Sequence, residues 1–233
     1  MPAELAPGLA QLKEKLLIMA SYAERAVNRA VKALARRDDE LASRTSEEDD
    51  LIDRLEVEVD ESALQLLAAR PGPLELRFIT MAMKIANNLE RVGDEATTIS
   101  RRVRELGCEP QLRQATEIPP LAATVLHMLK DSLDAFVSQD PAKAREVIPR
   151  DRAVDDLNRR LHRELGDLMA ERPTAITRAL NLMVISKSLE RIGDHAVNLA
   201  EQVVYLCEGR TSVTSRHRPA PRLGRTDFPN NNL

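Results

Sequence analysis

The sequence predicts an all-α protein built as two tandem three-helix bundles, six helices in all. Three observations carry that reading: an apolar stripe with helical period recurs six times, the composition favours helices, and one motif returns after 100 residues. Of the 233 residues, 43% are apolar and 30% charged, with 8 Gly, no Trp and only 2% aromatic. Ala, Leu, Arg and Glu dominate while strand formers are scarce, so the core is expected to be aliphatic. Proline-containing breaks along the chain argue against one unbroken coiled-coil rod.

The elements follow in order. Leu9, Leu12, Leu16, Met19, Ala23, Ala26, Ala30 and Leu34 step by three or four residues and form one stripe. The polar run Arg36-Arg37-Asp38-Asp39 interrupts it. A second helix carries Ile52, Leu55, Val59, Ala63 and Leu66, and Pro71-Gly72-Pro73 stops it, since proline lacks the donor and glycine permits reversal. The third begins near Leu74 and runs through Ile85, Leu89, Val92, Ile99 and Val103 to Gly107. The order then repeats, with a fourth helix over 119–138 and a fifth from the Asp140-Pro141 signal to Arg172. Pro173 breaks the fifth, and a sixth spans 174–208. The units are residues 8–107 and 110–209; residues 210–233, rich in Pro, Arg, Ser and Asn without periodicity, read as a disordered tail.

The repeat is visible residue by residue. Leu89-Glu90-Arg91-Val92-Gly93-Asp94 matches Leu189-Glu190-Arg191-Ile192-Gly193-Asp194 at an offset of 100, and Met83/Met183, Val103/Val203 and Leu106/Leu206 extend the match. Upstream, Asp49, Ile52, Asp53 and Leu55 align with Asp151, Val154, Asp155 and Leu157 at an offset of 102, so the second inter-helix turn should be two residues shorter.

Four carboxylate pairs stand out: Asp49/Asp53, Glu90/Asp94, Asp151/Asp155 and Glu190/Asp194. Spacing of i and i+4 places each pair on one helix face. Folding the second helix against the third about Pro71-Gly72-Pro73 sets Asp53 level with Glu90 and Asp49 level with Asp94. Asp155/Glu190 and Asp151/Asp194 pair the same way about the Arg172-Pro173 break. Four carboxylates so gathered could not all stay ionised without a cation. On a helical wheel Glu90 and Asp94 lie about 140–180° from Ile85, so the site is expected on the outer surface of the bundle. Gly93 and Gly193, next to the acids, point to a close approach or to tight helix packing. Oxygen-only ligands suit Mg²⁺, Mn²⁺ or iron ahead of copper. No Glu-x-x-His occurs, which removes the ligand set of di-iron bundle oxidases. His195 aligns with Glu95 and is read as a neutral surface residue; His127, His162 and His217 show no ligand spacing.

Other classes are excluded or disfavoured. A net charge of −3 and a pI near 5.9, with almost no aromatic platform, argue against nucleic acid. Arg101, Arg102 and Arg104 read as a solvated helix face. Neither a signal-peptide pattern nor an apolar run long enough to span a bilayer is visible, so a cytoplasmic protein is expected. Cys108 and Cys207 match no zinc or redox spacing and read as reduced thiols.

At LERVGDEATTIS, residues 89–100, and LERIGDHAVNLAE, residues 189–201, the chain resembles the PhoU family of phosphate-uptake regulators, a likeness covering about residues 8 to 208. The resemblance implies two tandem three-helix bundles with multinuclear metal clusters on surface E(D)xxxD motifs. Carried over by position, the ligands would be Asp49, Asp53, Glu90, Asp94, Asp151, Asp155, Glu190 and Asp194, holding iron, manganese, magnesium or zinc. It further implies a homodimer that serves the phosphate ABC transporter and its sensor histidine kinase as a negative regulator. Such a protein would meet the membrane only through those partners. The copies differ beside the motif, Glu95-Ala96-Thr97-Thr98 against His195-Ala196-Val197-Asn198, and the basic tail lies outside the family pattern. A non-enzymatic regulator is therefore expected. The alternatives are a metal-storage or metal-dependent hydrolytic bundle, against which the absence of a catalytic constellation speaks, and a plain helical scaffold with acidic faces.

Overall fold

The computed structural model describes residues 5–107 and 109–209. Cys108 and the expected tail at 210–233 lie outside the described residues. Eight α-helices appear among those described: α1 (Leu5–Arg36), α2 (Asp39–Ser43), α3 (Thr45–Ala68), α4 (Pro73–Leu106), α5 (Ile118–Ser138), α6 (Pro141–Val147), α7 (Asp151–Glu171) and α8 (Ile176–Glu208). Six are long and match the expected elements, while α2 and α6 are short corner helices.

The two corners are built alike. Arg37 and Gln139 adopt left-handed backbone, with φ of 57° and 52°, which turns the chain. The next residue is an aspartate in both cases. Asp38 Oδ1 accepts from the Leu41 N–H at 2.8 Å, and Asp140 Oδ1 accepts from Ala142 and Lys143 at 2.9 and 3.1 Å. Each cap satisfies donors that a helix start leaves orphaned. The expected single helix from Asp140-Pro141 to Arg172 is corrected here: α6 stops at Val147, a 3-10 turn spans Ile148–Arg150, and α7 starts at Asp151. Pro149 sits in that turn; it has no N–H to donate, and its ring would clash with the carbonyl four residues back.

In the first unit α1, α3 and α4 pack against one another around Leu12, Leu16, Met19, Ile52, Ile85 and Leu89, all essentially inaccessible. In the second, α5, α6 and α7 pack mainly on α8, and α5 meets α7 only slightly. The units share one continuous apolar core through the α4–α8 contact. There α4 and α8 run antiparallel, with the Arg77 guanidinium 5.8 Å from the Tyr205 ring at one end and Arg191 on Glu95 at 2.9 Å further along. Phe78 stacks on Phe136 with centroids 6.4 Å apart, tying α4 to α5.

The hairpins that carry the acids differ in their turns. Between α3 and α4 run Ala69 to Gly72, with Arg70 at φ 54° and Pro73 as the first residue of α4. Between α7 and α8 only Arg172 precedes the 3-10 turn Pro173–Ala175. Both connections are four residues long, but in the second Pro173–Ala175 already winds as a 3-10 turn at the repeat positions of Pro73–Glu75, so only Arg172 stays outside helical structure and the offset changes between the two halves of the repeat.

Candidate metal centre

The α3–α4 seam keeps the register expected from its turn. Asn87 donates to Glu56 Oε1 at 3.3 Å and the buried Ser100 hydroxyl donates to Thr45 Oγ1 at 2.8 Å, bracketing Asp49 and Asp53 on α3 against Glu90 and Asp94 on α4. The acids line the groove where the two helices meet, Asp53 and Asp94 exposed to solvent and Asp49 and Glu90 half-buried. Asp94 is half exposed, but the Glu90 side chain is only 17% exposed because α3 covers it.

Burial and like charge act together there. Asp49 is pushed up to about 6, chiefly by burial, with Asp53, Asp94 and Asp50 adding repulsion and the Thr97 hydroxyl opposing. Glu90 is pushed up to about 7 by burial first, then by Asp94, Glu56 and Asp53, with Arg91 opposing. Asp53 is raised as well, by burial and then by Asp94 and Asp50. Six carboxyls are thus coupled, and two of them, Asp50 and Glu56, are additions to the expected ligand set. A signal for both exists in the sequence, since Asp50 adjoins Asp49 and Glu56 lies three residues beyond Asp53, on the same face.

Among the described residues, one cation, Arg91, is ion-paired with this set. Arg91 Nε stands 3.2 Å from Glu90 Oε2 without hydrogen-bond alignment, and its Nη1 reaches Asp94 Oδ2 at 3.3 Å. Asp49 Oδ1 and Glu90 Oε2 are buried without an aligned hydrogen-bond partner, although the Thr97 hydroxyl lies close enough to Asp49 to favour its charged form. Such acceptors are costly to leave unmade, and a hard cation would both satisfy them and discharge the repulsion. The donor chemistry fits. As the side chains stand, no three His, Cys, Asp or Glu among the described residues enclose a single ion. Loading would therefore require new rotamers, which Asp53 and Asp94 have the exposure to adopt.

The α7–α8 seam has the same backbone and a different charge pattern. Glu190 is ion-paired with Lys187, one turn earlier on α8, and accepts from Asn158 Nδ2 at 3.4 Å. Arg159 pairs with Asp156, and its guanidinium is held above its ordinary range by Asp156 first, then by Asp155 and Glu190. Asp151 and Asp155 sit half-buried on α7, and Asp194 is half-buried on α8.

His162 and His195 both make inter-helix contacts. His162 Nε2 lies 2.9 Å from Ser186 Oγ and 3.2 Å from the Met183 carbonyl, linking α7 to α8. His195 is not the surface residue expected from the sequence. It is half-buried between the units, and burial pushes its imidazole below the ordinary range, with Asp194 and Glu95 opposing. Its Nδ1 lies 2.9 Å from Asn88 Oδ1. Asn88 Nδ2 donates to the Lys84 carbonyl, which fixes the amide's orientation, so Nδ1 must carry the proton.

The two motif glycines have different neighbours. A Cβ on Gly93 would meet Asp49 Oδ1 at 2.7 Å and Ile52 Cδ1 at 3.0 Å, so this glycine admits the carboxylate to the seam. A Cβ on Gly193 would meet Val154 Cγ1 at 3.5 Å, an ordinary contact. Cys207 is an exposed free thiol whose pKa burial raises, followed by Glu208 and Asp140.

The family model for the PhoU domain matches the chain twice, over residues 16–103 and 118–203. The chain belongs to the PhoU family. It is 40% identical over 204 residues to a phosphate-specific transport system accessory protein PhoU homolog of Pseudomonas aeruginosa, covering 86% of this chain and 84% of that protein. A PhoU homolog of Clostridium acetobutylicum with the same description is 34% identical, covering 87% and 93%. The crystal structure of PhoU from Pseudomonas aeruginosa superposes with a TM-score of 0.87 at 38% identity, over 89% of this chain and all of that one. The phosphate transport system regulatory protein PhoU from Streptococcus pneumoniae gives 0.83 at 26% identity, over 89% and 99%. Both PhoU matches contain a carboxylate seam, so the two seams are the same place in two copies of one domain.

Proposed function

We propose that this PhoU-family chain is a metal-binding accessory protein of a phosphate transport system, which restrains uptake and starvation signalling when phosphate is plentiful. The observation that carries the reading is its 40% identity, over most of both chains, to a protein described as a phosphate-specific transport system accessory protein. The chain acts by docking and not by catalysis, with the transporter's ATPase and the sensor histidine kinase as partners. It works as a homodimer in the cytoplasm and meets the membrane through those partners. No helix among the described residues is long and apolar enough to cross a bilayer, which suits recruitment of that kind. Asp49, Asp53, Glu90 and Asp94, and their counterparts Asp151, Asp155, Glu190 and Asp194, hold the metal; a bound cation would neutralise the seam.

The deciding experiment deletes the gene and follows phosphate uptake and the phosphate-starvation transcripts after repletion. Both should stay high in the deletion strain, and the protein should co-purify with the transporter ATPase or a kinase from cells grown at high phosphate. A deletion strain that shuts uptake down as fast as its parent would sink the proposal.

A further inference from the structure

The repeat alignment pairs positions that the motif leaves out, and these separate the two seams. At an offset of 102, Glu56 in the first unit corresponds to Asn158 and Val57 to Arg159; at an offset of 100, Asn87 corresponds to Lys187. In the first seam Glu56 adds its charge to that of Glu90 and accepts from Asn87. In the second, Lys187 is ion-paired with Glu190, the buried Asn158 amide donates to the same carboxylate, and Arg159 lies within electrostatic reach of Asp155 and Glu190. Even the shared motif arginine is used differently. Arg91 spans its own Glu90 and Asp94, while Arg191 turns across the interface to Glu95.

We propose that Lys187, supported by Arg159 and Asn158, is a built-in counter-cation of the second seam, so that a multivalent cation loads the first seam preferentially and enters the second only against this charge. The inference rests on the metal reading above and sharpens it, for it makes the two motifs unequal. A side-chain ammonium neutralises one charge and leaves when displaced, whereas an ion of charge two or more would neutralise several carboxylates at once. With Lys187 in place, the second seam begins partly neutralised and repels the incoming ion. Among the described residues, the first seam sets Arg91 alone in ion pairing against six carboxylates.

The test uses the full chain and Mn²⁺ as the probe, with binding followed by titration calorimetry and by the loss of the free Mn²⁺ electron paramagnetic resonance signal. Wild type should show one tighter site or cluster and one weaker. D53N with E90Q should remove the tighter class and leave the weak one visible. In that background, K187N with N158E, which installs the first-seam residues, should tighten the second seam by at least about tenfold, given the size of charge–charge terms at short range. K187R should leave it weak, because it keeps the charge. Circular dichroism confirms that each variant is folded; Lys187 is 45% exposed, so its replacement should not unfold α8. Two classes of equal affinity in wild type, or no tightening from K187N with N158E, overturns the inference while leaving metal binding intact. Wild type that binds no Mn²⁺ at either seam overturns the metal reading, and this inference with it.

Discussion

The α3–α4 seam gathers six mutually repelling carboxyls around a single guanidinium, while the α7–α8 seam sets its acids against Lys187 and Arg159. Both seams carry the same six-residue motif apart from Val92 and Ile192. The difference arises at Glu56/Asn158, Val57/Arg159 and Asn87/Lys187, positions one turn or less from the motif acids. Duplication has preserved the helical hairpin and its motif acids while the electrostatic setting diverged. A shared motif places carboxylates in space; the residues around it decide how strongly those carboxylates call for an external cation.

The largest expected effect bears directly on that contrast. Asp53→Asn with Glu90→Gln should strip most of the bound metal from untagged protein by elemental analysis. It should also abolish the melting-temperature drop caused by a chelator. A cation at a hundredfold excess over its Kd stabilises the fold by about 2.7 kcal/mol, which is the scale of the loss. Asp155→Asn with Glu190→Gln should remove much less. Equal losses from the two double variants would erase the contrast between the seams, and no loss from either would mean that both are merely solvated faces.

A smaller effect should appear in the pH dependence of the metal-free protein. Asp49 and Glu90 are raised in the folded state to about 6 and about 7, from unfolded values of 3.8 and 4.5. Between those limits the native state holds more protons than the unfolded chain, so stability falls as pH rises from about 4 through the folded values. With solvent screening discounted, the loss is on the order of 1 kcal/mol for each group. Urea melts of chelated protein at pH 5 and pH 8 measure it. Glu90→Gln should flatten the slope by its share, whereas Glu190→Gln deletes Lys187's partner and should bring no such gain. An unchanged slope in Glu90→Gln would show that the first seam relaxes its repulsion by some other route.

Much of this architecture is written in local periodicity. The long helices, the internal repeat and the height at which Asp53 meets Glu90 all follow from 3.6-residue spacing and the position of a turn, because helix rise is uniform. The corner helices were less legible: α2 and α6 depend on left-handed Arg37 and Gln139, and neither is a residue type that announces such backbone. Pro149 did carry the signal for the break between α6 and α7, but the strong apolar period on both sides masks it. The inter-unit contacts lay beyond sequence reasoning. Aligning the repeats compares each unit with its twin and says nothing of how α4 meets α8, so His195 on Asn88 and Arg191 on Glu95 emerge only in three dimensions. The unequal charge of the seams was present in the letters, but its weight depends on Lys187 and Asn158 converging on one carboxylate.

The smallest effect separates the seams at a single methyl group. Glycine inside a helix costs about 1 kcal/mol relative to alanine, so each motif glycine invites the same replacement. At Gly193 the new Cβ would rest 3.5 Å from Val154 and 3.8 Å from Val125, within ordinary van der Waals contact. Gly193→Ala should therefore gain most of the helix-propensity difference, up to about 1 kcal/mol in chemical denaturation. At Gly93 the same methyl would stand 2.7 Å from Asp49 Oδ1, so the carboxyl has to turn away and Ile52 has to shift with it. The gain in helix propensity is then offset, and stability should stay level or fall slightly. Asp49 also leaves the position from which it faces Asp94 across the groove, so Gly93→Ala should weaken metal binding at the first seam, whereas Gly193→Ala leaves the second unchanged. If the two alanines stabilise equally and neither alters metal content, Gly93 serves helix packing alone and the first seam does not depend on the placement of Asp49.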